Sequence, residues 1–194
     1  MTSTVELNVY AANLKARADD AKLAKDDMRF ITQTALSFSR AKIAQFLTKC
    51  KVDENFAFDA KLREQNCAKA IDFFMQLTEY LTDNREMYKV TPHAQIAIKL
   101  VLEYVKNNIH EISKNDFCSS MNNSDKYKQT DLVKRDIHSR IRRDNMNYSS
   151  ELRQATMMIN MLRHAKIIRH KTRDTFTIDE TSFAFKTAQK KLAA

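Results

Sequence analysis

The chain has 194 residues with no glycine, a single proline, three cysteines and a formal net charge of +9. Without glycine, the phosphate-binding loop, the dinucleotide-binding turn and the nucleophile elbow are missing, because each needs backbone free of Cβ at a sharp turn or close approach. This argues against nucleotide hydrolysis, NAD redox chemistry and α/β-hydrolase chemistry, and it disfavours the tight hairpins that large antiparallel sheets require.

The charge is unevenly distributed. Residues 126–194 carry 16 Lys/Arg against 7 Asp/Glu, which leaves 17 of each sign in residues 1–125. A neutral first part and a basic last third predict a scaffold with a polyanion-binding end, a plain solubilising surface being the alternative. Cys50, Cys67 and Cys118 form no Cys-x-x-Cys pair and read as small buried hydrophobes in a reducing compartment. No basic-then-apolar leader and no apolar run of about 18 residues occurs, so a cytoplasmic protein without a membrane span is expected.

In chain order, Ser3-Thr4-Val5-Glu6 reads as a capping box, followed by Leu7, Tyr10, Leu14, Ala18 and Ala21 at helical spacing. Asp26-Asp27 open a second helical run in which Phe30, Ala35, Phe38, Ile43, Phe46 and Leu47 supply bulk up to about Cys50. After the polar turn at 51–55, a third helix is predicted from about Asp59 to near Asn84, with Ile71, Phe74, Leu77 and Leu81 inside. Thr91-Pro92 gives an N-cap and a first-turn proline, and Ile98, Val101, Val105 and Ile109 mark one buried face. Asn107-Asn108, Asn122-Asn123 and Asn145/Asn147 are placed to end helices where glycine ordinarily would.

Ser113-x-x-Asp116 predicts a short capped helix carrying Phe117 and Cys118, and Ser119–Gln129 reads as a polar loop or linker. Thr130 or Asp131 then opens a helix with Val133, Ile137 and Ile141 inside, leaving Lys134, Arg135, His138, Arg142 and Arg143 off that stripe. Ser149 or Ser150 caps the next helix, whose inner face is Leu152, Ala155, Ile159 and Leu162, with Met157, Met158 and Met161 read as core filler. Ile167–Lys171 and Thr175–Ile178 are the β-prone segments, joined through Thr172-Arg173-Asp174; an inward Ile168 sends Arg169, Lys171 and Arg173 outward together. A last helix is expected from Thr181.

The succession of helices ending in a basic hairpin resembles the winged helix-turn-helix superfamily over about residues 91–180. The resemblance is carried by Asp131-Leu-Val-Lys-Arg-Asp-Ile-His as second helix, Ser150 to Ile168 as recognition helix, and the hairpin as wing. Arg40-Ala-Lys-Ile-Ala, Cys67-Ala-Lys-Ala-Ile-Asp-Phe-Phe and Ile112-Ser-Lys-Asn-Asp-Phe are also similar to the helical region before a winged helix at the C-terminal end of phage- and plasmid-type primase-helicases. The ATPase core of those proteins has no counterpart here, so no such activity follows.

The expected fold is mainly α: a helical bundle over 1–90, serving self-association or docking to a nucleoprotein complex, and a winged helix with one small β-hairpin over 91–194. The expected function is non-enzymatic binding of nucleic acid, double-stranded DNA above all, in replication or transcription control. The alternative is a structural subunit of a phage particle or effector complex that binds nucleic acid without reading sequence. Neither cofactor nor metal is called for. Arg153, Gln154 and Asn160 are side chains able to read base edges. Phosphate contacts are expected from Lys134, Arg135, Arg140, Arg142, Arg143, Arg169, Lys171 and Arg173. His138, His164 and His170 are expected at the surface or facing phosphate rather than on a metal.

Overall fold

The computed structural model describes residues 8–56, 65–121, 125–127, 129–142 and 151–193, with backbone alone at residues 65–67 and 125. Helices α1 (Val9–Asp20), α2 (Lys25–Phe38), α3 (Ala41–Lys49) and α4 (Gln65–Leu81) come first, followed by α5 (Pro92–Lys106). Strand β1 (Glu111–Ser113) leads into α6 (Lys114–Met121) and α7 (Leu132–Ile141). Then come α8 (Glu151–His164), β2 (Ile168–His170), β3 (Thr175–Ile178) and α9 (Phe183–Ala193). The protein is mainly α with a small β-hairpin, as the sequence implies.

The first helix is capped by Asn8, whose side chain accepts from the Ala11 N–H (3.2 Å); the Ser3–Glu6 box lies outside the described residues. The single helical run expected from Asp26 to Cys50 is two helices. The Ser39 hydroxyl donates to the Leu36 carbonyl (2.7 Å) and Arg40 turns to an extended ψ of 131°, which stops the helical ladder. The Phe38 carbonyl freed by that break accepts from the Asn8 amide, so a tertiary contact stabilises an end that local periodicity does not announce. The predicted start of the third helix at Asp59 lies outside the described residues, and the helix ends at Leu81 rather than Asn84.

Pro92 does open α5, although the Thr91 side chain makes no cap bond; its N–H instead donates to Gln76 Oε1 (2.8 Å). One buried face was expected, but Ala94, Gln95, Ile96, Ala97, Ile98, Leu100, Val101 and Tyr104 are all buried, while Val105 and Ile109 are only half-buried. The cause is position: α5 packs against α4, α6, α7 and α8 at once. Buried apolar side chains from Tyr10 to Ala188 belong to one continuous cluster, and α4 lies along α8.

Ser113 and Asp116 form the predicted box, the Ser113 N–H donating to Asp116 Oδ2 (2.7 Å) and the Asp116 N–H to Ser113 Oγ (3.2 Å). The segment Ser119–Gln129, expected to be a loop or linker, is instead packed where it is described. Ser119, Ser120, Met121 and Tyr127 are buried. Ser119 and Ser120 donate to the carbonyls of Asn115 (2.9 Å) and Phe117 (2.8 Å), so burying these polar groups costs little. The hairpin gains a third strand: β1 pairs with β3 through Ile112 and Phe176 in the order β1-β3-β2. Three residues are too few for period two to mark that strand in the sequence.

Helix ends without glycine are closed by residues held at positive φ: Lys22, Lys51, Asp83, Asn108 and Lys166. Asparagine therefore fills this role at Asn108, whereas three of the five positions are lysines; Asn122, Asn123, Asn145 and Asn147 lie outside the described residues. At Lys51 the two bonds of a Schellman cap form, Lys51 N–H to Thr48 O (3.0 Å) and Val52 N–H to Leu47 O (3.1 Å). A Cβ in this region costs about 1–2 kcal/mol, part of which glycine returns as unfolded-state entropy. Lys51→Gly is accordingly expected to raise the urea midpoint, by about 0.5–1 kcal/mol in stability. An unchanged or lower midpoint would show that the lysine is not strained there.

Candidate nucleic-acid interface

The conformation of α8 decides which of the basic residues face outward. Ala155, Met157, Met158, Ile159, Met161 and Leu162 are buried between α4 on one side and α5 and α6 on the other. Leu152, expected inside, is 45% exposed in the first turn. What remains outside is one stripe at steps of three or four residues: Leu152, Arg153, Thr156, Asn160 and Arg163, with Arg153 and Arg163 exposed and Thr156 and Asn160 half-buried. Gln154, expected beside Arg153, lies off that stripe, since successive helical residues face different ways. It is half-buried, and its Oε1 has no hydrogen-bond partner among the described residues.

The stripe runs on into the turn at Lys166, where the Lys166 N–H donates to Arg163 O (3.0 Å) and the Ile167 N–H to Leu162 O (2.9 Å). Strand β2 follows directly. Ile168 is buried while Arg169, Lys171 and Arg173 are exposed, as period two requires. Two of these cations already have partners: Arg169 Nε lies 3.3 Å from Asp179 Oδ2, and Lys171 Nζ donates to Glu111 Oε1. Arg173, Arg153, Arg163 and Lys166 make no ion pair among the described residues. Arg163 and Lys166 were not singled out in the sequence, yet the spacing of Arg153, Asn160 and Arg163 already puts them on one helical face.

Helix α7 is oriented differently from expectation. Asp131 caps it, accepting from the Lys134 N–H (3.1 Å), and the helix packs on α5 and α6. Its inner face is centred between Lys134 and Ile141, so it buries Ile137 and His138 and leaves Val133 49% exposed. His138, expected at the surface, is 1% exposed, with Nε2 hydrogen-bonded to the Tyr104 hydroxyl (2.7 Å). Asp116, itself fully buried, accepts from Gln129 Nε2 (2.9 Å) and Lys134 Nζ (3.3 Å) and lies 4.0 Å from His138 Nε2.

These contacts separate the cations of α7. Lys134 is committed to Asp116 and lies over the Tyr104 ring (5.2 Å). Arg142 donates through Nη2 to Ser119 O (2.7 Å), and its burial lowers the guanidinium pKa. Arg140 is exposed but paired with Asp136 (3.1 Å) and Glu103 (3.5 Å), whereas Arg135 is exposed. Arg143 lies outside the described residues. His164 is half-buried against Phe56 (5.3 Å) and Phe74 (5.6 Å).

Desolvation first of all pushes the His138 pKa down to about 4, Lys134 and Arg142 lower it further, and Asp116 opposes the shift. The unfolded chain therefore takes up a proton near pH 6.5 that the folded chain refuses until about pH 4. The stability held above pH 6.5 is lost as pH falls toward 4, by on the order of 3 kcal/mol. His138→Gln is expected to flatten that part of a urea-midpoint profile. A profile as steep as that of the unmodified protein would place the titration elsewhere.

Among the described residues no group of three or more His, Cys, Asp or Glu is placed to hold a metal ion, and no helix is long and apolar enough to cross a membrane. No known protein family matches the chain, and no curated protein or solved structure matches it either.

Proposed function

We propose that residues 91–194 act as a winged helix that binds double-stranded DNA without catalysing a reaction, in a phage- or plasmid-type replication accessory or a transcription regulator. The observation that carries this reading is the outward stripe of α8. Arg153 and Arg163, with Lys166 just beyond, lie unpaired among the described residues on the face that α4, α5 and α6 leave open, and this face leads into the basic hairpin. Supporting it is the order α5, β1, α6, α7, α8, β2, β3, a winged-helix order with α7 as an added helix.

In this reading α8 enters the major groove and the hairpin follows the backbone. Arg153 suits a guanine edge and Asn160 an adenine edge, while Arg163, Lys166, Arg169, Lys171 and Arg173 supply charge to phosphates. Pairing of Arg169 with Asp179 and of Lys171 with Glu111 keeps both side chains oriented, and phosphate would have to compete with those carboxylates. The N-terminal helices back α8 through α4 and offer the rest of their surface for docking or self-association.

Selection from random duplexes tests the reading. An enriched motif is expected, with Arg153→Ala relaxing preference at one or two positions and costing about 1–3 kcal/mol on the selected site. Retained binding with no enriched motif would favour a subunit that lines a nucleic-acid channel without reading sequence.

A further inference from the structure

Beside the outward stripe lies a groove of about 450 Å³ that duplex binding by α8 does not use. It is bounded by the end of α8, the first residues of β2, the chain after α3 and the start of α4. Its chemistry is two-sided. The floor is apolar, made by Phe56, Ile71 and Ile168, and the rim is cationic, made by Arg163, Lys166 and Arg169. Two imidazoles, His164 and His170, line it as well; the His170 ring lies against Phe176 (4.9 Å) and the His164 ring against Phe56 (5.3 Å). Asn160 provides an amide on its wall, and Asp53 is the carboxylate among its described lining residues.

A flat apolar bed, ring systems held in place by aromatic neighbours and a rim of three cations are what a planar heterocycle joined to a phosphate requires. The volume suits one nucleotide rather than a paired base step. The groove also begins where the stripe of α8 ends, so an occupant there would be continuous with a duplex lying on that stripe.

We propose that this groove takes one unpaired nucleotide at the end of a duplex, its base over the apolar floor beside His170 and its phosphate among Arg163, Lys166 and Arg169. The inference rests on the duplex-binding reading for the position of the paired part. It predicts that the protein prefers ends and junctions to continuous duplex. Stacking of a base on protein rings has effects of roughly tenfold in affinity.

The test compares a blunt duplex with the same duplex carrying one extra unpaired nucleotide, using full-length protein. The overhang is expected to bind about tenfold more tightly. His170→Ala and Asn160→Ala, both changes at accessible side chains, should each remove most of that difference and leave blunt-duplex affinity within about threefold. Equal affinity for the two duplexes, with binding retained, would overturn the groove proposal and leave the duplex reading standing. A second measurement separates the two readings. A 5′-phosphorylated dinucleotide added to the protein alone should shift the imidazole resonances of His164 and His170 but not those of His93, His110 or His138. No shift at His164 and His170 would overturn the groove proposal whatever the duplexes do, and a shift without any duplex binding would uphold the groove and overturn the duplex reading.

Discussion

Asp116→Ala is expected to be the most destabilising single substitution on the C-terminal side, at about 3–5 kcal/mol. The carboxylate is fully buried and joins three parts of the fold. It accepts from the N–H and hydroxyl of Ser113 (2.7 and 2.8 Å) at the junction of β1 and α6, from Gln129 (2.9 Å) before α7, and from Lys134 (3.3 Å) on α7. Alanine leaves those donors without an acceptor and the Lys134 ammonium without its counterion, and a lost partner costs the full desolvation of the group left behind. For a chain of this size the thermal midpoint should fall by about 10 °C, read by circular dichroism. Asp116→Asn keeps the shape but not the charge, so it should lie between alanine and the unmodified protein. If alanine shifts the midpoint by less than about 2 °C, the Asp116 cluster is not what joins α6 and α7.

The second large effect concerns binding. Replacing Arg153, Arg163 and Lys166 together by alanine is expected to weaken DNA binding by two to three orders of magnitude at about 0.1 M salt, since each phosphate neutralised contributes a factor of about eight there. All three are exposed, which predicts little change in thermal midpoint. The control is Arg140→Ala, which removes the same charge from an exposed residue already paired with Asp136 and Glu103 on the α7 side. It should leave affinity within about threefold. Equal losses from the triple variant and the control would mean that net charge, not the face of α8, governs binding.

Much of this was legible in the sequence, and the exceptions share a cause. The capping box at Ser113 and Asp116, the proline start of α5 and the outward alternation of Arg169, Lys171 and Arg173 are local patterns, and the structure contains them. What the sequence concealed depends on neighbours far along the chain. Ser39 ends α2 where Asn8 can reach the Phe38 carbonyl, a contact across 30 residues. Helix α5 is buried on several faces because four helices meet it, so a single stripe understates it. His138 turns inward because Asp116 and Tyr104 wait there, and a histidine is polar enough to pass for a surface residue.

The same reasoning explains the candidate site. A count of cations along α7 treats Lys134, Arg135, Arg140 and Arg142 alike, but Lys134 and Arg142 are held by internal acceptors and Arg140 by two carboxylates. The charge available for a polyanion therefore moves to the stripe of α8 and the hairpin. Arg163 and Lys166 belong to it, and the methionines of α8 bury the opposite side.

The central claim is that this stripe and the hairpin neutralise DNA phosphates, and salt dependence tests it most directly. Duplex affinity measured from about 50 to 300 mM salt should give a log–log slope of roughly −4 to −7, and the Arg153, Arg163 and Lys166 triple alanine variant should bring it about three units closer to zero. No binding at the lowest salt, or the same slope for both proteins, would contradict the account.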